Sequence, residues 1–128
     1  MLSIEVVPRE RPAPAAPQLG ELLALLKVIA DENRLQIFAL LTRAELCVCE
    51  LEDALGLSQS LVSNHLRVLK RAGLVRARRD ALDARWIYYS VDEQVVDSLR
   101  LSLLRLLDLS LTDHSQVRCG PDRERRLP

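Results

Sequence analysis

The hydrophobic residues recur at helical spacing through most of the chain and change to alternating spacing in one later segment. A first helix is predicted from about Gln18, where leucines, Val28 and Ile29 form a broad apolar stripe. Asp31 marks a break, and a second helix is predicted over about 32–41. A third, short helix reads ELEDALGLS and ends at Gly56, a residue type that tolerates the positive φ of helix ends.

Ser58 is placed to cap a fourth helix that runs to Gly73 and has two different faces. The apolar residues recur at helical spacing and are expected to face the core: Leu61, Val62, Leu66 and Leu69. The opposite face has small polar groups and arginines but no carboxylate: Gln59, Ser60, Ser63, Asn64, Arg67 and Arg71. Such a face is suited to contacts with base edges and phosphates.

After Gly73 the segments LVRAR and RWIYYSV favour strands, and a polar connection around 80–84 makes them a hairpin. Trp86 and Tyr88 alternate with Ile87 and Tyr89, so one of these pairs is expected to pack inward. A short helix, a turn, a capped helix and a hairpin together predict a winged helix-turn-helix. Its wing would bring three arginines near the DNA backbone: Arg78, Arg79 and Arg85.

A long final helix is predicted over about 92–111, and its leucines cover more surface than one small domain can bury. Together with the leucine-rich first helix, this surplus predicts a homodimer. The expected fold is therefore mainly α with a β-hairpin wing, a dimeric winged helix-turn-helix over 18–112. A proline-rich arm (1–17) and a polar tail (113–128) are expected to be flexible.

The charge is balanced overall, with 18 cationic and 18 anionic residues among 128, but it is unevenly distributed. Residues 58–90 have a net charge of +5, because seven basic residues, Lys70 among them, stand against two aspartates. This local basic block predicts contact with double-stranded DNA, and a solvated face that binds nothing is the alternative. No apolar run reaches the ~18 residues of a membrane span, and the start does not resemble a secretory signal. We therefore expect a cytoplasmic protein that does not contact the membrane.

Cys47 and Cys49 stand at the start of the third helix, just before the turn into the predicted DNA-reading helix. Residues i and i+2 of a helix point about 200° apart, so the two thiols converge only if Cys47 lies outside the helix. Glu50, three residues later, completes a capping-box pattern that places Cys47 at the N-cap. The helix terminus is expected to lower the thiol pKa, which predicts a site for a soft ion. Two buried, inert cysteines and a redox pair remain alternatives.

The segments ELCVCEL, LGLSQSLVSNHLRVLKRAGLV and RWIYYSV closely resemble the arsenic-responsive branch of the ArsR/SmtB family of metal-sensing bacterial repressors. The resemblance covers roughly residues 18–110. It implies a homodimer that binds its own operator without a cofactor. It also implies that arsenite or antimonite, bound to the cysteine thiolates, releases the repressor from DNA. Cadmium, lead, zinc or an oxidant as the effector remains the alternative within the same fold.

One position departs from the family pattern, because Glu52 stands where the arsenic branch commonly has a third cysteine. The third ligand is therefore open: the candidates are Cys119 from either protomer and an exogenous thiol or hydroxide. The chain has no cysteine before Cys47, unlike the cadmium/lead branch, and the zinc-sensing Asp/His set of the last helix is absent, since only His114 lies nearby.

Two further interpretations concern histidine and enzyme activity. His65 is expected to be a hydrogen-bonded helix residue beside the core, and His114 an exposed one, neither of them a metal ligand. A small thiol oxidoreductase is the alternative from another class of protein. The sequence has neither a C-x-x-C motif within a βαβ unit nor an anion-binding loop, so we expect no enzyme activity.

Overall fold

A computed structural model describes residues 19–108, which form five helices and a small three-stranded sheet. In chain order the elements are α1 (Leu19–Ile29), α2 (Glu32–Leu41), β1 (Leu46–Cys47), α3 (Val48–Leu55), α4 (Gln59–Arg71), β2 (Val75–Arg79), β3 (Ile87–Val91) and α5 (Glu93–Leu106). The helix α3, its turn, the helix α4 and the β2–β3 hairpin form the predicted winged helix-turn-helix. The predicted arm (1–17) and tail (113–128) lie outside the described residues.

Side-chain caps fix where the helices begin. Asp31 accepts a hydrogen bond from the Arg34 backbone N–H at 3.0 Å, and Ser58 accepts one from that of Leu61 at 3.2 Å. These bonds satisfy N–H groups that have no partner inside the first helical turn. The helix α3 ends at Gly56, whose φ of 67° lies in the left-handed region. The predicted bounds of α2 and the cap of α4 are therefore confirmed.

The sheet has three strands in the order β1-β3-β2, and both neighbouring pairs are antiparallel. The β2–β3 hairpin was predicted from the sequence, whereas β1 was not. Leu46 lies opposite Tyr89, and Cys47 lies opposite Tyr88. This pairing joins the segment that precedes α3 directly to the wing.

The core is formed by apolar residues from every helix and from the start of β2. Its buried members are Leu22, Ile37, Leu41, Leu51, Val62, Leu66, Leu69, Leu74, Val75 and Leu99. The prediction that Leu61 faces this core is wrong, because its side chain is 44% exposed. Residues Val62, Leu66 and Leu69 define the buried stripe of α4, and Leu61 lies about 100° around the helix from Val62.

Several leucines of α1 and of the end of α5 remain exposed in the single chain. They are Leu19, Leu23, Leu104, Leu106 and Leu107. The helix α5 begins at the predicted position, after Asp92, but it ends at Leu106 rather than near Leu111, which lies outside the described residues. Between residues 19 and 108, no helix has the length and apolar character needed to cross a membrane.

Candidate functional site

The two cysteines converge at the junction between β1 and α3. Cys47 ends β1 in an extended conformation and is the N-cap of α3, whereas Cys49 lies in the first turn of that helix. Their Sγ atoms are 3.1 Å apart. The prediction that Cys47 lies outside the helix, so that both sulfurs share one side, is confirmed.

Glu50 holds the backbone of Cys47 in this geometry. The Cys47 backbone N–H donates to Glu50 Oε1 at 2.9 Å, which is the reciprocal half of a capping box. This hydrogen bond also lowers the pKa of the Glu50 carboxyl group. The cap thus fixes the backbone that carries one thiol relative to the helix that carries the other.

The two thiols differ in their exposure to solvent. Cys47 is buried, with 5% of its surface exposed, whereas Cys49 is exposed. Burial raises the pKa of the Cys47 thiol to about 11, and its hydrogen bond with the Cys49 thiol acts in the same direction. The expectation that the helix terminus lowers the thiol pKa is wrong for Cys47, because removing the thiolate from water outweighs the partial charge of the helix.

No third ligand accompanies the sulfurs in the part of the chain that the structure describes. Residues 19–108 contain no group of three or more His, Cys, Asp or Glu side chains that could hold a metal ion. Cys119, a candidate third ligand, and His114 lie outside these residues. The described site is therefore a dithiol.

A cleft of about 500 Å³ opens beside the dithiol, between the starts of α3 and α4 and the second strand of the wing. We call it the wing cleft. Its lining includes Cys47, Cys49, Gln59, Ser63, Trp86 and Tyr89. The thiols and two of the predicted DNA-reading side chains thus share one concave surface.

The predicted DNA-reading residues lie along the outer side of α4. All of them are exposed except Ser63, which is half-buried: Gln59, Ser60, Ser63, Asn64, Arg67, Lys70 and Arg71. Arg67 donates a hydrogen bond to Asn64 Oδ1 at 2.8 Å, so these two side chains form one polar unit. No acidic residue lies in the first turn of the helix. This surface combines hydrogen-bonding groups at the start of α4 with positive charge at its end.

The three arginines predicted for the wing all have partners within the wing or beside it. Arg78 donates two hydrogen bonds to the Glu45 carboxylate, at 2.7 and 2.8 Å, and its guanidinium lies 4.9 Å from the centre of the Tyr88 ring. Arg85 donates to Asp83, and Arg79 donates to the backbone carbonyl of Ala84. The sequence placed these arginines on the wing correctly but did not predict that they have partners there.

Comparison with known proteins agrees with this architecture. Residues 31–77, from the cap of α2 into β2, match the family model for bacterial regulatory proteins of the arsR family. The chain is 31% identical over 99 residues to the arsenical resistance operon repressor of Staphylococcus aureus, which covers 77% of this chain and 86% of that repressor. The chain belongs to the ArsR family.

Two further comparisons concern HlyU of Vibrio cholerae, a transcriptional activator. Its sequence is 42% identical over 84 residues, covering 66% of this ArsR-family chain and 75% of HlyU. A solved structure of HlyU from Vibrio cholerae N16961 matches with a TM-score of 0.56 at 40% identity, covering 69% of this chain and 92% of that one. The family and these relatives are DNA-binding transcriptional regulators, so this ArsR-family protein is a regulator of transcription and not an enzyme.

Two features of this ArsR-family site differ from or extend the sequence-based picture. His65 is 8% exposed on the buried stripe of α4, and its Nδ1 has no hydrogen-bond partner in the described structure, so the expected hydrogen bond is absent at that atom. Glu45 was not predicted to be functional, although it is the partner of Arg78. The only sequence signal for that role is that Glu45 stands two residues before Cys47.

Proposed function

We propose that this protein is a repressor that binds operator DNA as a homodimer and is released when arsenite or antimonite binds Cys47 and Cys49. The observation that carries the proposal is the 3.1 Å separation of the two sulfurs at the start of the helix that precedes α4. Thiolates are the ligands that soft ions prefer. The similarity to the arsenical resistance operon repressor of Staphylococcus aureus supports the same class of inducer.

The sulfur separation favours a pyramidal ion over a tetrahedral one. The two sulfurs are 3.1 Å apart. For an ion about 2.3 Å from each of them, the usual zinc–thiolate distance, the sulfur–ion–sulfur angle is about 85°. A tetrahedral ion at that distance needs sulfurs about 3.8 Å apart. Trivalent arsenic and antimony carry a lone pair that narrows the angles between their bonds. The dithiol therefore needs less rearrangement to bind these ions than to bind zinc.

The outer side of α4 is the proposed recognition surface. Gln59, Ser63 and Asn64 lie in its first half, where a recognition helix contacts base edges. Lys70 and Arg71 lie in its last turn, where their charge suits phosphates. We propose that the first group sets sequence preference and that the second contributes affinity for any duplex.

The exposed leucines support the homodimer. Leu19 and Leu23 lie on α1, and Leu104, Leu106 and Leu107 lie at the end of α5, where a small monomer would not be expected to leave so much apolar surface uncovered. We propose that α1 and α5 pair with their counterparts in a second copy. Such a dimer presents two α4 helices to two half-sites.

The position of the thiols explains how ion binding would weaken DNA binding. Both sulfurs lie at the start of α3, and α3 leads into α4 through the short turn at Gly56–Ser58. An ion that fixes Cys47 to Cys49 would shift the first turn of α3, and this shift changes the spacing of the two α4 helices. Half-sites lie about 34 Å apart, so the fit to DNA depends on that spacing. A coupling of ~1–3 kcal/mol corresponds to about 5–150-fold weaker operator binding.

The third bond of inorganic trivalent arsenic would come from outside the described dithiol. Cys119 is the only other cysteine of the chain, so we propose it as the third ligand. An exogenous thiol or hydroxide is the alternative donor. No cofactor is required for the protein to bind DNA.

Operator titrations with arsenite, antimonite, cadmium and zinc test this proposal. The wild type should lose operator affinity with arsenite and antimonite at lower concentrations than with zinc. The variants Cys47→Ser and Cys49→Ser should bind the operator normally but should not be released. Ser58→Thr is a suitable control, because it keeps the N-cap of α4 and leaves the thiols unchanged. Unaltered release of either cysteine variant by arsenite would contradict the proposed site.

A further inference from the structure

The side chains of α4 that lie farthest from the core form one stripe along the helix. Successive residues of a helix are about 100° apart, so Asn64 and Arg67 lie on the side opposite the buried stripe of α4. Both residues are exposed, and a spacing of three makes them neighbours on the helix surface. When α4 lies in a major groove, this stripe is the part of the helix nearest the base edges.

A hydrogen bond between these two side chains fixes which way the amide of Asn64 points. Arg67 Nη1 donates to Asn64 Oδ1 at 2.8 Å. A guanidinium has N–H donors but no acceptor, so the amide oxygen must face Arg67 and the amide nitrogen must point away from it. Both N–H bonds of that nitrogen and the other N–H bonds of Arg67 remain available to donate. The outward side of the pair therefore consists of hydrogen-bond donors.

The charge of Arg67 is not neutralised by this contact. Its partner is an uncharged amide, whereas Arg78 and Arg85 pair with carboxylates. The helix α4 itself contains no aspartate or glutamate. Arg67 therefore brings a positive charge to the same place as the donors, and hydrogen bonds from a charged donor are stronger than those between neutral groups.

The two purines present different major-groove edges to such a surface. Guanine presents two acceptors, N7 and O6, whereas adenine presents the N7 acceptor beside its N6 amino donor. An asparagine without a partner matches adenine, because its amide offers one acceptor and one donor group. Here Arg67 already occupies the Asn64 oxygen, so the amino group of an adenine would meet the N–H bonds of the guanidinium. The donors of the pair match the two acceptors of guanine instead.

We propose that Arg67 determines base specificity by holding Asn64 Oδ1, so that the two residues together select guanine rather than adenine in each half-site. The inference rests on the proposed function, since it requires that the outer side of α4 reads operator DNA. It adds the identity of a base to that function and makes Arg67 a positioning residue as well as a source of charge. The thiols and the inducer play no part in it.

Selection of duplexes from a randomised library identifies the base pair that Asn64 reads. The full-length wild type and its Asn64→Ala variant are compared, and the position sought is the one whose preference disappears in the variant. We expect guanine there in the wild type, and its replacement by adenine should weaken binding by about 5- to 150-fold. Replacement by 7-deazaguanine, which lacks the N7 acceptor but still pairs with cytosine, should also weaken binding.

The variant Arg67→Met separates the positioning of the amide from the contribution of charge. Methionine is unbranched and favours helices, but it cannot donate to Asn64, so Oδ1 becomes available to an adenine amino group. The preference for guanine over adenine should therefore be lost or reversed, and Arg67→Lys, which keeps a donor, should retain part of it. Arg71→Met is the matched control, because it removes the same charge from the same stripe seven residues from Asn64. It should weaken binding to all duplexes and leave the guanine preference intact.

The outcomes distinguish this inference from the proposed function. A wild-type preference for any base other than guanine at the position that Asn64 reads would overturn the inference. An unchanged guanine preference in Arg67→Met, or an equal loss of preference in Arg67→Met and Arg71→Met, would do the same. If Asn64→Ala alters no base preference, the inference fails while operator binding stands. If the wild type selects no duplex at all, the proposed repressor function fails as well.

Discussion

Replacing Glu45 with glutamine should strengthen operator binding and make that binding more sensitive to salt. The Glu45 carboxylate accepts two short hydrogen bonds from the Arg78 guanidinium, and this contact lowers the pKa of Glu45. The same guanidinium also lies over the Tyr88 ring in a cation–π contact. The Glu45 carboxylate thus neutralises the positive charge of Arg78. Glutamine keeps the length of the side chain but removes its charge, so it frees Arg78 for a phosphate.

The size of the effect follows from counterion release. Each new phosphate contact steepens the dependence of log K on log salt concentration by about 0.9. The proposed homodimer has two wings, so Glu45→Gln should steepen the slope by about 1.8. Between 50 and 200 mM salt, this difference amounts to an additional loss of about tenfold in affinity. Arg78→Gln, in contrast, should not flatten the slope of the wild type, because an Arg78 paired with Glu45 makes no phosphate contact; the Glu45 carboxylate that it leaves unpaired should weaken operator binding.

Operator binding measured by fluorescence anisotropy across this salt range tests the reasoning. Glu32→Gln on α2 is the matched control, because it removes the same charge from an exposed helix position that does not contact Arg78. If Arg78→Gln flattens the slope by about 1.8 and Glu45→Gln has no effect, Arg78 contacts phosphate in the complex. The ion pair with Glu45 would then be absent when DNA is bound, and the reasoning would be refuted.

Three further predictions concern the turn, the recognition helix and the buried thiol. Gly56→Ala should lower the free energy of unfolding by ~1 kcal/mol, because a backbone φ of 67° is strained for any residue with a side chain, although a Cβ there would touch nothing. A thermal melt measures the change, and an unchanged midpoint would contradict the prediction. Asn64→Ala should reduce the discrimination between operator and random duplex, whereas Lys70→Ala should weaken the affinity for both duplexes equally. If the two variants change the affinities in the same way, the proposed orientation of α4 on DNA is wrong. In a Cys49→Ser, Cys119→Ser background, alkylation of Cys47 at pH 8 should be slower in the folded than in the denatured chain, because the raised pKa keeps the thiol protonated. The difference between the two alkylation rates should disappear as pH rises towards 11. Equal rates at pH 8 would argue against burial of the thiol.

The elements that the sequence predicted are those defined by local signals. Asp31 and Ser58 are side chains that cap the helix directly following them, so the starts of α2 and α4 are visible in a few residues. The convergence of Cys47 and Cys49 was predictable for the same reason, because Glu50 completes a cap pattern within one helical turn. The hairpin was also predictable, since its strands are adjacent in sequence.

The features that the sequence did not predict depend on residues far apart in the chain. The strand β1 has two residues, too few for an alternating pattern, and it is stabilised by β3 about forty residues later. The partner of Arg78 is 33 residues away, so the compensation of its charge is visible only in three dimensions. The raised pKa of Cys47 likewise results from packing, whereas the sequence reveals only the helix terminus, which acts in the opposite direction.

The strand β1 also changes how an ion at the dithiol would act on the DNA-binding surface. Cys47 lies opposite Tyr88 of β3, and Tyr88 lies opposite Arg78 of β2, so one row of residues crosses the sheet from the thiol to the wing. An ion that fixes the two sulfurs at the spacing its bond angle requires would act on this row as well as on the first turn of α3. Because β1 has only two residues, few backbone hydrogen bonds oppose its displacement. We therefore expect the wing and α4 to move together on ion binding, so that base contacts and backbone contacts weaken in a single step.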